Sequence, residues 1–264
     1  MKSAMDISLF DLGISFSALL IPIAFLLYYK VKIVKDILIG AARMVIQLSL
    51  VAIYLEWIFN LNNAWVNCLW ILIMISVGVY TSIKRIGLNW RYFILPFFTA
   101  SIISVIIIDT FFLGFIIKLD NIFDARYFVP ITGMILGNSL NHNIVGLTTY
   151  LKGFTEKSEL YYFLLTNSSS FKITLRPFIT EAIKRGLNPL IASMSVIGLI
   201  SLPGMMTGQI LGGSSPVIAI KYQIMIMLAI FVGCSINLLL SIIFSNYVIF
   251  DSGKRLKNDF LKNN

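Results

Sequence analysis

Long apolar runs separated by short polar stretches dominate the chain. A membrane-spanning helix needs about 20 mostly apolar residues. Seven segments qualify, at about 8–29, 37–59, 65–83, 93–117, 128–150, 189–211 and 223–250. The pattern predicts an all-α, polytopic membrane protein with about seven transmembrane helices, forming a single transmembrane domain over residues 1–264. In the fourth segment, Ile102-Ile103 and Val105-Ile106-Ile107-Ile108 place apolar side chains on nearly every helix face, which suits lipid or bundle contact and not a surface helix. The first is too long and too poorly flanked for a cleaved signal peptide, because Lys2 stands alone and no small-residue cleavage site follows.

One stretch breaks this rhythm. Residues 151–188 run through a helix-like piece from Lys152 to Thr166, with Leu160, Phe163 and Leu164 on one side, and then the polar Asn167-Ser168-Ser169-Ser170. A second amphipathic piece opens at Arg176-Pro177 and sets Ile179, Ala182 and Ile183 opposite Glu181, Lys184 and Arg185. A connection this long is usually functional. Two short amphipathic helices around a polar turn lie on a membrane face or dock into another protein, and a plain solvated loop stays open as the simpler reading.

Composition agrees with the pattern. Hydrophobic residues make up 58% and charged residues 12%, against roughly 45–50% and about 25% in soluble domains. That excludes a disordered chain, a collagen and a disulfide scaffold. Cys68 and Cys234 each sit in an apolar stretch and read as packing residues. The net charge of +9 would suggest nucleic acid in a soluble protein. Here its distribution matters more. The connections after the first, third and fifth segments, together with the tail, hold 17 of the 21 basic residues; the other side has only Lys2, Lys118, Arg126 and Lys221. The positive-inside rule then predicts the N-terminus outside and the C-terminus inside. The charge is a topology signal, and no nucleic-acid partner is expected. Trp57, Trp65 and Trp90 fall near segment ends, where interfacial aromatics belong.

Candidate chemistry concentrates in two segments. Pro203 removes a backbone donor in the sixth, so a break is expected there, and Gly204, Gly208 and Gly212 then recur every four residues as a smooth stripe. The stripe reads as a packing face or as a lining. Met205, Met206 and Gln209 beside it offer thioether and amide groups to a soft or borderline metal. The fifth segment carries Gly133, Gly137, Asn138, Asn143 and His142; Asn138 and His142 share a helix face. A lone histidine without cysteine or carboxylate neighbours reads first as a hydrogen-bonded structural residue, and no metal-ligand set can be named. Asp11, Glu56 and Asp109 lie within or beside apolar segments, and with Asp6, Asp120 and Asp124 they make the predicted outer side slightly acidic, which would favour cations. No phosphate-binding Gly-x-x-x-x-Gly-Lys-Ser/Thr loop, Gly-x-Ser-x-Gly elbow or His-Glu-x-x-His helix occurs. No catalytic residue and no chain-bound cofactor are therefore expected.

Ala42-Arg43, Gln47-Leu48, Gly133-Met134, Gly137-Asn138 and above all the run from Leu202-Pro203-Gly204-Met205-Met206-Thr207-Gly208-Gln209 to Lys221-Tyr222-Gln223 resemble the FetB (YbbM-like) permease family. Its members are bacterial membrane partners in an ATP-binding-cassette transporter linked to iron export, with a plant branch tied to aluminium tolerance. The resemblance implies a homodimeric permease of the bacterial cell membrane. It would export metal cations by alternating access and depend on a separate cytoplasmic ATPase subunit that uses ATP-Mg. It also places the ATPase contact in the 151–188 loop, with Ser168, Ser169, Ser170, Arg176, Glu181 and Arg185 as coupling residues. The substrate path then falls to Gln47, Asn138, His142, Met205, Met206 and Gln209, and the hinge or packing positions to Gly133, Gly137, Pro203, Gly204, Gly208 and Gly212. The rival reading is a self-contained ion-coupled carrier, which predicts an inverted repeat; the Gly-Met pairs at 133–134 and 204–205 are the only hint of one.

Overall fold

The computed structural model describes residues 7–257, and these are helical, with no strand among them beyond two isolated bridges. Lys2, Asp6 and Lys262, which entered the charge argument, lie outside the described residues. Helix α1 spans Leu9–Tyr28, with a tight turn at Phe16–Leu19. It is followed by α2 (Val34–Leu61), α3 (Ala64–Ile86) and α4 (Trp90–Ile116). Next come α5 (Ala125–Glu156), α6 (Ser158–Asn167), α7 (Phe171–Val196), α8 (Gly204–Leu211) and α9 (Pro216–Ile249). Of these, α1, α2, α3, α4 and α9 are long and apolar enough to cross a membrane. The 32-residue α5 and the 26-residue α7 are equally long but more polar.

Local chemistry fixes the helix ends. Asn63 caps α3 by accepting from the Trp65 amide, Asn89 caps α4 through Arg91, and Asp124 caps α5 through Arg126. Gly87 ends α3 at φ +83°, a left-handed conformation that costs glycine nothing. Two cross-links tie the connections of one end together: Asn62 Oδ1 accepts from the Ala125 amide at 2.9 Å, and Asn67 Nδ2 donates to the Phe123 carbonyl at 2.8 Å.

The core is made by α3, α4, α5, α7 and α9. Ile75, Phe97, Ile135, Leu147, Phe178 and Leu238 are buried in one continuous cluster. Small residues set the helix spacing. A Cβ added at Gly186 would lie 2.8 Å from Leu238 Cδ2, 3.3 Å from Gly146 Cα and 3.3 Å from the His142 carbonyl; one at Gly146 would lie 2.7 Å from Leu238 Cδ1. Backbones of α5 and α7 therefore touch, with Leu238 of α9 filling the notch. In lipid, where apolar surface gains little by leaving solvent, such close packing is a main source of association.

The 151–188 region is more helical than the sequence suggests. Helix α5 continues to Glu156, and α7 begins at Phe171, five residues before Arg176. An aromatic knot accounts for the early start. Phe154 stacks on Phe178 at 4.6 Å and Phe250 stacks on Tyr161 at 5.7 Å, while Phe171 meets Phe250 edge-on at 5.1 Å. The buried residue of α6 is Tyr161, and Leu160 and Phe163 of the expected apolar side are exposed.

The segment expected as a sixth span over 189–211 is not one helix. Helix α7 ends at Val196, Gly198 turns at φ +84°, and an irregular stretch runs to Pro203 before the eight-residue α8. The break expected at Pro203 thus begins seven residues earlier, where Gly198 accepts a conformation that side chains resist. Leu199 and Ile200 on this stretch are 88% and 82% exposed.

Candidate functional site

A seam of buried polar groups runs through the middle of the core along α9. Gly233, Asn237, Ser241 and Ser245 recur every fourth residue, so they share one face, and all four are buried. Asn143 Nδ2 donates to Asn237 Oδ1 at 2.7 Å, and Asn237 Nδ2 donates to Ser101 Oγ at 3.2 Å. Ser241 Oγ donates to the same Asn237 oxygen, and Ser104 Oγ donates to the Gly233 carbonyl at 3.0 Å. Each interhelical bond of this kind is worth about 1 kcal/mol in a bilayer. A cavity of about 30 Å³ opens on the seam, with Gly78, Ser82, Ser139 and Asn143 among its walls. It has room for a single water or a bare ion. Asn143 Oδ1 is buried without a partner within the chain, so the cavity holds an uncommitted oxygen.

Asp109 lies further along toward the end that carries Asn62 and Phe123. Its carboxylate is 4% exposed; Thr132 Oγ1 donates to Oδ2 at 2.7 Å, while Oδ1 has no partner. Immediately after it, Thr110–Ile116 widens into a π-helix, a form that recurs at functional positions. Asp109 also borders an apolar cavity of about 270 Å³ beside Cys68, Ile71 and Phe128.

The residues expected to line a path fall in three places. Gln47 sits on α2 and is exposed. On α5, Asn138 spends its amide on the Met134 carbonyl one turn back, and the His142 ring donates through Nδ1 to the Gly186 carbonyl at 2.9 Å. That bond pins α5 to α7 beside the glycine crossing. Met205, Met206 and Gln209 belong to α8, where all three are half-buried; Met205 reaches the main core and Gln209 Oε1 is buried without a partner. Of the glycines, Gly133 meets only the Met74 side chain at 3.9 Å, and Gly137, Gly204 and Gly208 face open space within the chain. Gly212 ends α8 against that helix's own carbonyl at Gly208. The tightest crossings fall at Gly146, Gly186 and Gly233. Asn237 and Ser101 escaped the sequence reading, yet the four-residue spacing from Gly233 to Ser245 would have found this face. No group of three or more His, Cys, Asp or Glu side chains that could hold a metal occurs among the described residues.

The expected coupling residues lie at the opposite end from Asn62. Ser168, Ser169 and Ser170 form the turn between α6 and α7. Glu181 on α7 accepts from Lys157 Nζ at 2.7 Å and pairs with Arg185 at 3.0 Å. The hydrogen bond from Lys157, with the two positive charges, holds the Glu181 carboxyl below its ordinary titration range. Arg176, Lys184 and Arg185 are exposed.

Comparison with known proteins fits this geometry. Residues 9–250 match a family described as "Uncharacterised protein family (UPF0014)". The chain is 28% identical to "UPF0014 membrane protein YjkA" of Bacillus subtilis over 94% of its own length and 98% of that protein's. It is 31% identical to "Probable iron export permease protein FetB" of Escherichia coli, covering 81% of this chain and 82% of that one. "Protein ALUMINUM SENSITIVE 3" of Arabidopsis thaliana is 32% identical over 73% of this chain and 69% of its own. No solved structure matches. The chain is a multi-pass membrane protein and belongs to the UPF0014 family.

Proposed function

We propose that this chain is the permease subunit of an ATP-binding-cassette transporter that exports metal cations, iron among them, driven by a separate cytoplasmic ATPase that uses ATP-Mg. The reading has seven crossings, six on α1–α5 and α9 and one at 189–211 beyond the cytoplasmic part of α7, with the N-terminus outside, and two copies of the chain forming the working permease. Its support in the comparisons is the relative whose name is that of a probable iron export permease.

The observation that carries it is the way α6–α7 is built. Ser169 and Ser170 of the turn and the basic side chains of Lys184 and Arg185 are exposed, yet α7 is rooted in the core through Phe178, Ala182 and Gly186. A push received at the exposed face passes along α7 to the Gly146–Gly186 contact, and there to Leu238 and the Asn143–Asn237 bond. The seam is closed in this state. Sliding α9 away from α4 and α5 would expose Asn143, Asn237 and Ser101, neutral oxygens that bind a cation without trapping it. The chain's own part is to hold those oxygens, to exclude lipid with its apolar shell, and to switch between packed states; ATP supplies the bias.

The test is ATP hydrolysis by the chain reconstituted with its co-purifying ATPase, measured with iron, manganese, zinc and aluminium. Metal stimulation is expected, and Arg185→Ala with Glu181→Ala should reduce it at least about tenfold, the effect of losing one charged contact. If no ATPase co-purifies, or if residues 151–188 are labelled by an impermeant reagent from outside intact cells, the proposal fails. Unchanged metal efflux with Gln209→Ala and Met206→Ala would remove α8 from the path.

A further inference from the structure

We infer that the groove between the start of α7 and the end of α9 is a binding site for one anionic phospholipid, held by its phosphate. The groove has a volume of about 750 Å³, in the range of small-molecule pockets and suited to a headgroup with the first part of its chains. Its wall is apolar along Leu175, Ile179, Ile243 and Tyr247. Its rim carries Lys172, Arg176 and Lys254 against a single carboxylate, Asp251. None of the three cations is in an ion pair among the described residues. Asp251 is already engaged, since its Oδ1 accepts from the Arg255 amide at 2.7 Å.

The tail presents the third cation. Residues 251–254 turn back from α9, Phe250 bridges to Leu256, and Tyr161 Oη donates to the Lys254 carbonyl. The Lys254 ammonium is thereby set 4.9 Å from the Phe171 ring centroid, over the mouth of the groove. An apolar trough ending in three uncompensated cations, beside the 80% exposed Tyr247, has the chemistry of a lipid and not of a peptide. Charge complementarity selects a phosphate without a balancing choline.

The test uses the full chain in nanodiscs of phosphatidylcholine containing one-fifth phosphatidylglycerol, followed by detergent extraction and native mass spectrometry. About one phosphatidylglycerol should remain per chain. Lys172→Gln/Lys254→Gln should lower its retention about 25-fold, from about fivefold per charge removed. Lys118→Gln at the opposite end should leave it unchanged, and an unaltered melting temperature shows the double variant is folded. Equal retention of both lipids, or retention that the double variant does not change, overturns the inference. So does displacement of the lipid by free phosphate at millimolar concentration, which would assign the cations to a soluble anion. None of these outcomes depends on transport.

Discussion

Helices α1 and α4 are equally apolar, yet they live differently. No residue in the most apolar stretch of α1 is buried, against 44% in that of α4. The same holds for α2, whose contact with the rest is a small cluster of Ile58, Ala125 and Val129 near its end. Apolarity therefore reports compatibility with lipid, and burial follows a second pattern, the spacing of small and polar residues. In α9 that pattern is the Gly233–Ser245 stripe; α1 has no counterpart. The hairpin α1–α2 is attached to the bundle, and α3, α4, α5, α7 and α9 are built into it.

Substitutions can break or sharpen that contrast. The largest effect is expected for Gly186→Leu, because the new side chain meets backbone that has no room to yield; a loss of about 3 kcal/mol in a denaturant titration in detergent is expected. Gly208→Leu on the open face of α8 should change stability by less than about 1 kcal/mol, and equal effects at the two sites would show that α8 is covered as tightly as the crossing. Leu238→Ala should cost about 2 kcal/mol, a packing loss more than a transfer loss, since the unfolded helices stay in lipid. Asn237→Ala should cost about 1 kcal/mol and leave Asn143 and Ser101 without a shared partner. Ile46→Ala on α2 should fall within about 0.5 kcal/mol; a larger loss would mean that a second copy of the chain covers the hairpin. The smallest effect concerns Glu181. Its carboxyl titrates lower in the folded chain than in the unfolded one, so the contribution of the Lys157 pair is complete above the unfolded carboxylate range and is lost as pH falls through the folded one. Thermal melts of wild type and Glu181→Gln should converge on acidification and separate slightly at neutral pH.

Hydropathy made the long helices legible, because a run of about 20 apolar residues has few other uses. Six of the seven expected segments each fall on a single helix, from Leu9–Tyr28 to Pro216–Ile249, and the seventh is split between α7 and α8. The piece around 171–211 was harder to read. Pro177 and Pro189 both lie inside α7, and packing of Leu175, Phe178 and Leu190 overrides the interruption that proline signals in isolation. Gly198, which ends the helical region, carries no mark that distinguishes it from Gly186, which is buried in a crossing. Glycine spacing in Gly204-x-x-x-Gly208 announced a contact that the single chain does not make. His142 and Asn143 are sequence neighbours with opposite roles, one pinning α7 and one joining the seam, because successive helical positions point about 100° apart. Sequence placed both in one polar cluster; only the neighbouring helices separate them.

The Gly146–Gly186 touch has a mechanical meaning. It lies ten residues before Glu156, so the end of α5 stands about 15 Å beyond it. Two rods whose closest approach is bare can tilt about it while flanking side chains, Phe154 on Phe178 among them, re-seat, and a tilt of a few degrees becomes ångströms at the tips. Bulk added at that fulcrum would splint the joint, and one residue without a side chain thus sets the throw of the whole bundle.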